Sequence, residues 1–491
     1  MAQPQHQQSR PNGDRVTGLL AYGIYLSELY AVVCCLLLLG PWPPWARFSI
    51  VVLVAAVAGC GAALVGRRLA LPKWTDVVDP GGRVKTGVRS TSRPAGALLA
   101  QLTPLAVLAL VFPVVGNQLH ELNVGGTPLS TVIMAGSIAV PFLAQTACAP
   151  LYKALGNDVY NEGSSLLVTN FLARWPIVFI RSLCLVVLLC AAFAATTQWS
   201  VGALFAFALF MVCSLAMVQW FVVPIMERRF GLWAVAWLAY AAVLLFAPEL
   251  CLIAPLATLF VLGISILRGP IFLSLRPTPH VWRTFARGAV QGTLIWLNPL
   301  LLLLVTGPSF NPTLVFFSLL PALVLFNSYF TLIAPGIQFG FDSFQYALQK
   351  SPVTKLRVQA EYLRAQVRGK FVALGLSFVV ATSITMAAES WEPALSSPLY
   401  NAMILCSLGF CLESIFVYHL LQLKRDSFVV SFSFAHCVGF AIAMFVFAPT
   451  ASFYTVNAIL QVVIVATLAI VYAREIAEPH YALFWRHATA W

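Results

Sequence analysis

The chain has 491 residues, of which 60% are apolar and only 9% are charged, and its mean hydropathy is +0.87. This composition excludes an ordinary soluble globular domain and is typical of a polytopic membrane protein. The net charge of +12 needs no nucleic acid as a partner, because positively charged cytoplasmic loops facing anionic lipid explain it.

Fourteen apolar runs come close to the roughly 20 residues that a helix needs to cross the bilayer. They cover residues 17–40, 49–66, 96–116, 130–152, 171–196, 201–223, 231–247, 250–267, 289–306, 313–334, 371–388, 399–423, 427–448 and 453–473. The sequence therefore predicts an all-α bundle of about fourteen transmembrane helices. Several boundaries are indistinct, so the predicted range is twelve to fourteen.

The basic residues test this count independently, because cytoplasmic loops of membrane proteins collect Lys and Arg. With the N-terminus inside, all but three of the 29 Lys and Arg residues are cytoplasmic. The exceptions are Arg47 in an outer loop and Arg174 and Arg181 inside the fifth span. The predicted organisation is a cytoplasmic tail at 1–16, ten spans within 17–341, a cytoplasmic segment at 342–370, four spans within 371–473 and a cytoplasmic tail at 474–491.

Arg174 and Arg181 are seven residues apart and so share one face of the fifth helix. Arg174 lies about one turn from the cytoplasmic end and can reach the interface, whereas Arg181 lies roughly 15 Å deep. A charge at that depth is expected to face the bundle interior or a water-filled cavity rather than lipid. Two interpretations stay open: a substrate pathway lined by both arginines, or a buried ion pair that fixes helix packing.

Three further titratable residues lie within apolar runs: Glu28, Glu413 and His436. Each carboxylate is either an ion-pair partner for Arg181 or a coupling site that binds a proton or another ion. His436 is either a proton relay or a neutral histidine bonded to a neighbouring helix. Asn298 is interpreted as an interhelical hydrogen-bonding residue.

The segment 342–370 has the pattern of a basic amphipathic helix on the cytoplasmic membrane surface. Its apolar stripe consists of Leu356, Ala360, Leu363 and Val367, and the basic residues away from the stripe are Lys355, Arg357, Arg364 and Arg368. The segment is predicted either to anchor on anionic lipid or to serve in substrate loading or partner docking.

Motifs for enzymatic chemistry are not found: the chain has no GxSxG, HExxH or P-loop sequence. Its eleven cysteines lack CxxC or Cys/His ligand spacing. No cofactor, metal site or catalytic residue is therefore predicted. A membrane glycosyltransferase or acyltransferase stays open as an alternative, to be distinguished by acidic residues in outer loops.

Two segments resemble the multidrug/oligosaccharidyl-lipid/polysaccharide flippase superfamily and, within it, the Pel-type exopolysaccharide exporters. They are "VPFLAQTACAPLYKALGNDVYNEGSSLLVTNFL" at 140–172 and "NSYFTLIAPGIQFGFDSFQYALQ" before the basic segment. The resemblance implies two helix bundles around a cavity that opens alternately to each side, in a bacterial cytoplasmic membrane. The family usually has twelve spans, whereas the lipid II flippases of the same superfamily have fourteen.

These observations together predict an exporter or flippase of a polysaccharide or an anionic lipid-linked saccharide. Arg174 and Arg181 would contact its phosphate, because guanidinium matches phosphate oxygens bidentately. The expected partners are that saccharide, anionic lipid and cytoplasmic glycosyltransferase or synthase subunits. The alternatives are an ion-coupled carrier of small molecules and a scaffold subunit of a polysaccharide synthase.

Overall fold

A computed structural model describes residues 103–479 of the chain, except 163–165, 198, 228, 267–277, 279–280, 308–309, 311, 351–352, 392–396 and 424. The first two predicted spans, Glu28 and the tail at 1–16 lie outside the described residues. Most of the tail at 474–491 lies outside them as well.

Almost all of the described part is helical. In chain order its α-helices are α1 (Thr103–Glu121), α2 (Leu129–Glu162), α3 (Leu167–Thr196), α4 (Val201–Trp220), α5 (Val222–Met226), α6 (Phe230–Phe246), α7 (Ala254–Ile266), α8 (Val281–Thr306), α9 (Pro312–Ser328), α10 (Ala334–Lys350), α11 (Val353–Trp391), α12 (Pro398–Gln422), α13 (Asp426–Phe447) and α14 (Ala451–Ala477). A 3-10 turn at Pro248–Ile253 precedes α7, and a π-helical turn at Tyr329–Ile333 joins α9 to α10.

Eight helical segments of the described part are long and apolar enough to cross a membrane. They are Leu129–Gly156, Leu167–Thr196, Val201–Met226, Val281–Thr306, Phe317–Gln338, Pro398–Gln422, Asp426–Phe447 and Ala451–Ala477, with shorter apolar helices at Phe230–Phe246 and Pro248–Ile264. The predicted runs at 96–116 and 371–388 fall largely or wholly within α1 and α11. An all-α membrane protein is thus confirmed for this part of the chain, while the total of fourteen spans and the orientation of the termini stay predictions.

The chain divides into two compact units, and each is described by itself. In the larger unit, which includes 103–319 and 398–475, α2 packs against α3, α4 and α8. Two glycines one turn apart let α8 approach α2: a Cβ on Gly288 would lie 2.7 Å from the Gln145 carbonyl oxygen, and one on Gly292 would lie 3.3 Å from Phe142. This small-residue spacing is a common solution for close helix contacts in membranes.

A short hairpin precedes α2. Strands β1 (Asn123–Val124) and β2 (Thr127–Pro128) pair antiparallel around Gly125 and Gly126. Both glycines have positive φ values, 57° and 84°, as a two-residue type I′ turn requires. Gly125 also packs against the side chain of Ser200, the N-cap of α4. A larger residue at position 125 would be strained by the positive φ value and would also clash with the Ser200 side chain.

In the smaller unit, α11 differs from the separate surface helix predicted for 342–370. It is one uninterrupted helix of 39 residues that includes both the basic segment and the apolar run at 371–388. Of the predicted stripe, Ala360, Leu363 and Val367 are buried. Leu363 and Gln366 pack against α10 at Gly340, and the Gln366 amide donates a 2.6 Å hydrogen bond to the Gly336 carbonyl. Three of the four stripe residues are therefore buried within the protein.

Candidate functional site: an exposed arginine and a buried carboxylate cluster

Arg174 is held by an acidic partner from the end of α2. Its guanidinium forms two hydrogen bonds of 2.9 Å, from Nε to Oδ2 of Asp158 and from Nη2 to Oδ1. Both side chains are only 12% exposed. The planar guanidinium and the carboxylate therefore match bidentately, the strongest geometry for such a pair. Arg174 does lie within one to two turns of the start of α3, but its charge is already neutralised.

Arg181 lies in a different environment on the same face of α3. Its side chain is exposed, and within the described residues no carboxylate comes within ion-pair distance of it. The neighbouring exposed residues are apolar, with Ile180 66%, Val187 66% and Leu188 65% exposed. An exposed arginine thus lies roughly 15 Å along the predicted span, on a helix that also exposes apolar side chains before and after it.

The environments of the two arginines differ because different parts of the protein pack against α3 along its length. Seven residues turn an α-helix by nearly two full turns, so the side chains differ by only about 20° in direction. At Arg174 the end of α2 supplies Asp158, whereas roughly 10 Å further along α3 no described acidic residue faces Arg181. The shared face was predicted from spacing, but its two environments were not.

A second polar site lies inside the three C-terminal helices of the larger unit. Glu413 of α12 is fully buried, and its Oε2 lies 2.9 Å from Nδ1 of His436 on α13. The two atoms are at ion-pair distance but are not aligned as a hydrogen bond. The other ring nitrogen of His436, Nε2, lies 3.3 Å from Nε2 of Gln461 on α14. Among the described residues, neither oxygen of Glu413 has a hydrogen-bond donor.

Aromatic and amide groups surround this Glu413 cluster, which we define as Glu413, His436 and Gln461. The His436 ring stacks on Phe410 with centroids 5.2 Å apart. One to two turns along α14, the Tyr454 hydroxyl donates a 2.8 Å hydrogen bond to Oδ1 of Asn298 on α8. Asn298 therefore confirms its predicted role as an interhelical hydrogen-bonding residue.

The Glu413 cluster brings a carboxylate and an imidazole within 2.9 Å of each other inside the larger unit. Arg181 was the predicted ion-pair partner of Glu413, but the structure places His436 beside the carboxylate, a contact that was not predicted. Gln461 was not singled out from the sequence, although it is an isolated amide inside a long apolar run.

Charged residues from three predicted cytoplasmic segments meet at one end of the larger unit. Asp426, the first residue of α13, contacts Arg287 near the start of α8. Its neighbour Arg425 donates a 2.8 Å hydrogen bond from Nε to Oε1 of Glu475 near the end of α14. These contacts bring together segments that the positive-inside rule places on one side of the membrane.

The basic residues of α11 are outside both sites. Arg357 and Arg368 are exposed and Arg364 is half-buried. Lys355 also lies in α11, but its side chain is outside the described part of the structure. Lys370 lies against Gly336, where a Cβ would be 2.9 Å from its Cε. Burial lowers the pKa of the Lys370 ammonium from its ordinary value.

No family model matches the chain, and no curated protein matches it. Among solved structures, the chain is similar to a transporter of the MOP superfamily from Pyrococcus furiosus, for which a binding pocket of reverse polarity suggests a different function. The two chains are 13% identical, the match covers 78% of this chain and 95% of that one, and the TM-score is 0.41.

Proposed function

We propose that the chain is a membrane transporter that exports or flips an amphiphilic anion, such as a lipid-linked saccharide or a growing polysaccharide, by alternating access. Arg181 would contact the phosphate or carboxylate of this substrate. The observation that carries the proposal is an exposed guanidinium at mid-depth of an apolar helix, with no ion-pair partner among the described residues.

The energetic cost of placing a charge inside the bilayer supports this role for Arg181. An arginine facing lipid at the centre of a span costs at least about 2.5–3.5 kcal/mol on insertion scales. That cost is avoided if Arg181 faces water or an anion, and intramembrane cations commonly line substrate pathways for this reason. Guanidinium suits a phosphate particularly well because its planar N–H groups can form two parallel hydrogen bonds.

The surroundings of Arg181 suit an amphiphile better than a small polar ion. Ile180, which precedes Arg181, and Val187 and Leu188, about two turns further along α3, are each about two-thirds exposed. A lipid-linked substrate could place its anionic head on Arg181 and its hydrocarbon along these residues, because apolar surfaces removed from water are stabilised by contact with each other. Arg174 would instead position α3 through Asp158.

Reconstituted protein offers a direct test. The purified full chain is inserted into liposomes that contain a fluorescent polyprenyl-diphosphate saccharide, and transfer between leaflets is measured by a membrane-impermeant quencher. Arg181→Ala should abolish transfer, and Arg181→Lys should restore only part of it, because ammonium cannot bind bidentately. Arg474→Ala, at the exposed end of α14, is the matched control. Wild-type transfer by Arg181→Ala at equal protein level would refute the proposal.

A second candidate function is an ion-coupled carrier of small molecules, favoured by the Glu413 cluster. Its buried carboxylate and imidazole, 2.9 Å apart, could carry a proton through the transport cycle. Uptake of a panel of small solutes into liposomes under an imposed proton gradient tests this. If the second candidate holds, Glu413→Gln should abolish gradient-driven accumulation while Arg181→Ala leaves it intact. The reverse pattern would support the flippase.

A further inference from the structure

We propose that the exposed face of the helical hairpin formed by α10 and α11 is a docking surface for a cytoplasmic protein with an acidic surface. The face consists of Arg357, Val358, Glu361, Ala365 and Arg368, which are exposed, and the half-buried Arg364, all on the first half of α11. This inference goes beyond the proposed transport function and is independent of it.

α11 is longer than a bilayer is thick. Its 39 residues span about 58 Å at 1.5 Å per residue, whereas a bilayer with its headgroups is about 40–45 Å thick. The predicted span at 371–388 uses the second half of the helix. The first half must therefore extend beyond the bilayer on the side where the positive-inside rule places it, the cytoplasm.

The first half of α11 could lie on the membrane surface only if the helix bent sharply near residue 370. Sharp kinks arise almost always at proline, at Gly/Ser pairs or at π-bulges. The helix is α-helical throughout and contains no proline. Arg357 therefore lies about 21 Å before the start of the predicted span along the helix, and still about 16 Å from the hydrocarbon if the helix tilts by about 40°.

Since the headgroups extend about 5–7 Å beyond the hydrocarbon on each side, Arg357 lies about 10–15 Å beyond them, and anionic lipid attracts it only weakly. Electrostatic attraction to the leaflet decays with a Debye length of about 8 Å at physiological salt. The apolar stripe cannot hold the helix on lipid either, because Ala360, Leu363 and Val367 are buried in the smaller unit. Packing of Leu363 and Gln366 against Gly340 fixes which face of α11 turns towards α10.

What stays outward has the character of an interface. Arg357 is 88% exposed, and its 3.5 Å contact with Glu361, itself 60% exposed, is a surface pair that contributes little and exchanges readily for another carboxylate. Val358 beside it is 67% exposed and offers an apolar contact. Arg364 is half-buried on the same side of the helix. Arginines flanking an exposed apolar side chain favour an acidic protein surface, since charge complementarity selects partners and speeds their association.

The experiment places a photoreactive benzoylphenylalanine at Val358 of the full chain, in the cells that naturally carry it. We expect an adduct with one cytoplasmic protein, whose cross-linked peptide, identified by mass spectrometry, lies beside Asp or Glu residues. Charge reversal by Arg357→Glu with Arg364→Glu should reduce the adduct at least tenfold, and reversing the acids on the identified partner should restore it. The same probe at Val462, 69% exposed on the predicted transmembrane helix α14, is the control and should not label that protein.

The result can also go against the proposal. An adduct with lipid, an adduct with a second copy of this chain, an adduct that survives charge reversal, or no adduct at normal protein level would each overturn it. A nitroxide at Val358 supplies a second measurement that does not need the partner. It should be relaxed by a water-soluble nickel chelate, and protection from the chelate together with exposure to oxygen would show that the face lies in the membrane.

Discussion

Arg174 and Asp158 form a bidentate pair between α3 and α2, with both hydrogen bonds 2.9 Å long. The two residues are 16 positions apart, on either side of the connection between consecutive helices. Both side chains are largely removed from water, and the pair ties the first turns of α3 to the last turns of α2. Arg181 lies two turns further along α3.

Breaking this pair should destabilise the protein more than removing it altogether. Asp158→Ala leaves the Arg174 guanidinium largely buried without its carboxylate, at an expected loss of about 3 kcal/mol in the free energy of unfolding. Asp158→Ala combined with Arg174→Met should recover most of the loss, since no charge stays behind. Thermal unfolding in lipid nanodiscs measures both. Equal stability of the single and double variants would contradict the expected penalty for leaving the Arg174 guanidinium buried without its carboxylate.

The contact between α8 and α2 predicts opposite effects for two glycine substitutions. Gly288→Ala would place a Cβ 2.7 Å from a backbone oxygen of α2, and such overpacking costs about 1–3 kcal/mol. Gly263→Ala in α7 has open space around it and should stabilise its helix by up to about 1 kcal/mol. The free energies of unfolding of the two variants are compared in the same lipid. A neutral Gly288→Ala would contradict the close approach of the helices.

The same logic applies beside the Glu413 cluster. A Cβ on Gly409 of α12 would lie 2.6 Å from Cβ of Gln461, an atom too near its own backbone to move aside. We expect Gly409→Ala to separate α12 from α14, remove the Gln461 amide from His436 and lower thermal stability. Gly439→Ala on α13, where nothing lies within 4 Å, is the control. Infrared difference spectra of the His436 ring report the loss of contact separately from stability.

Helix positions could be predicted from the sequence because the cost of exposing backbone and charge to lipid dictates long apolar runs. Most predicted runs within the described residues match helix bounds closely, for example 399–423 against Pro398–Gln422. The position of Arg174 near the start of its helix could likewise be predicted by counting residues from the start of the apolar run. These features depend only on composition along the chain.

Helix rotation and partner choice could not be predicted in this way. Asp158 follows the apolar run of α2, and nothing in its spacing to Arg174 identifies a bidentate pair. His436 reaches Glu413 because α12 and α13 turn those faces towards each other, a result of packing that hydropathy does not encode. The basic segment was expected to end at 370, but Gly369 lowers helix propensity by only about 1 kcal/mol and does not stop α11.

The predicted orientation is tested by labelling in a cysteine-free background. Asn123→Cys, exposed on the hairpin before α2, should react with a membrane-impermeant maleimide added outside intact cells. Ala365→Cys, exposed on α11, should react only after the cells are opened, because the residues at 342–370 are predicted to be cytoplasmic. Reaction of both positions from outside would disprove the orientation.

The hydrogen bond from Tyr454 to Asn298 has a consequence for how the chain is made. Asn298 enters the membrane with α8, and the hydroxyl that it accepts from lies 156 residues further along the chain. At synthesis rates of about 5–20 residues per second, roughly 8–30 s pass before that hydroxyl emerges. During this interval the Asn298 amide oxygen lacks its final donor inside the bilayer, where an unsatisfied polar group costs several kcal/mol. α14 thus supplies the donor that the Asn298 amide lacks until then, and a chain that ends before α14 would expose an unsatisfied polar group to quality control.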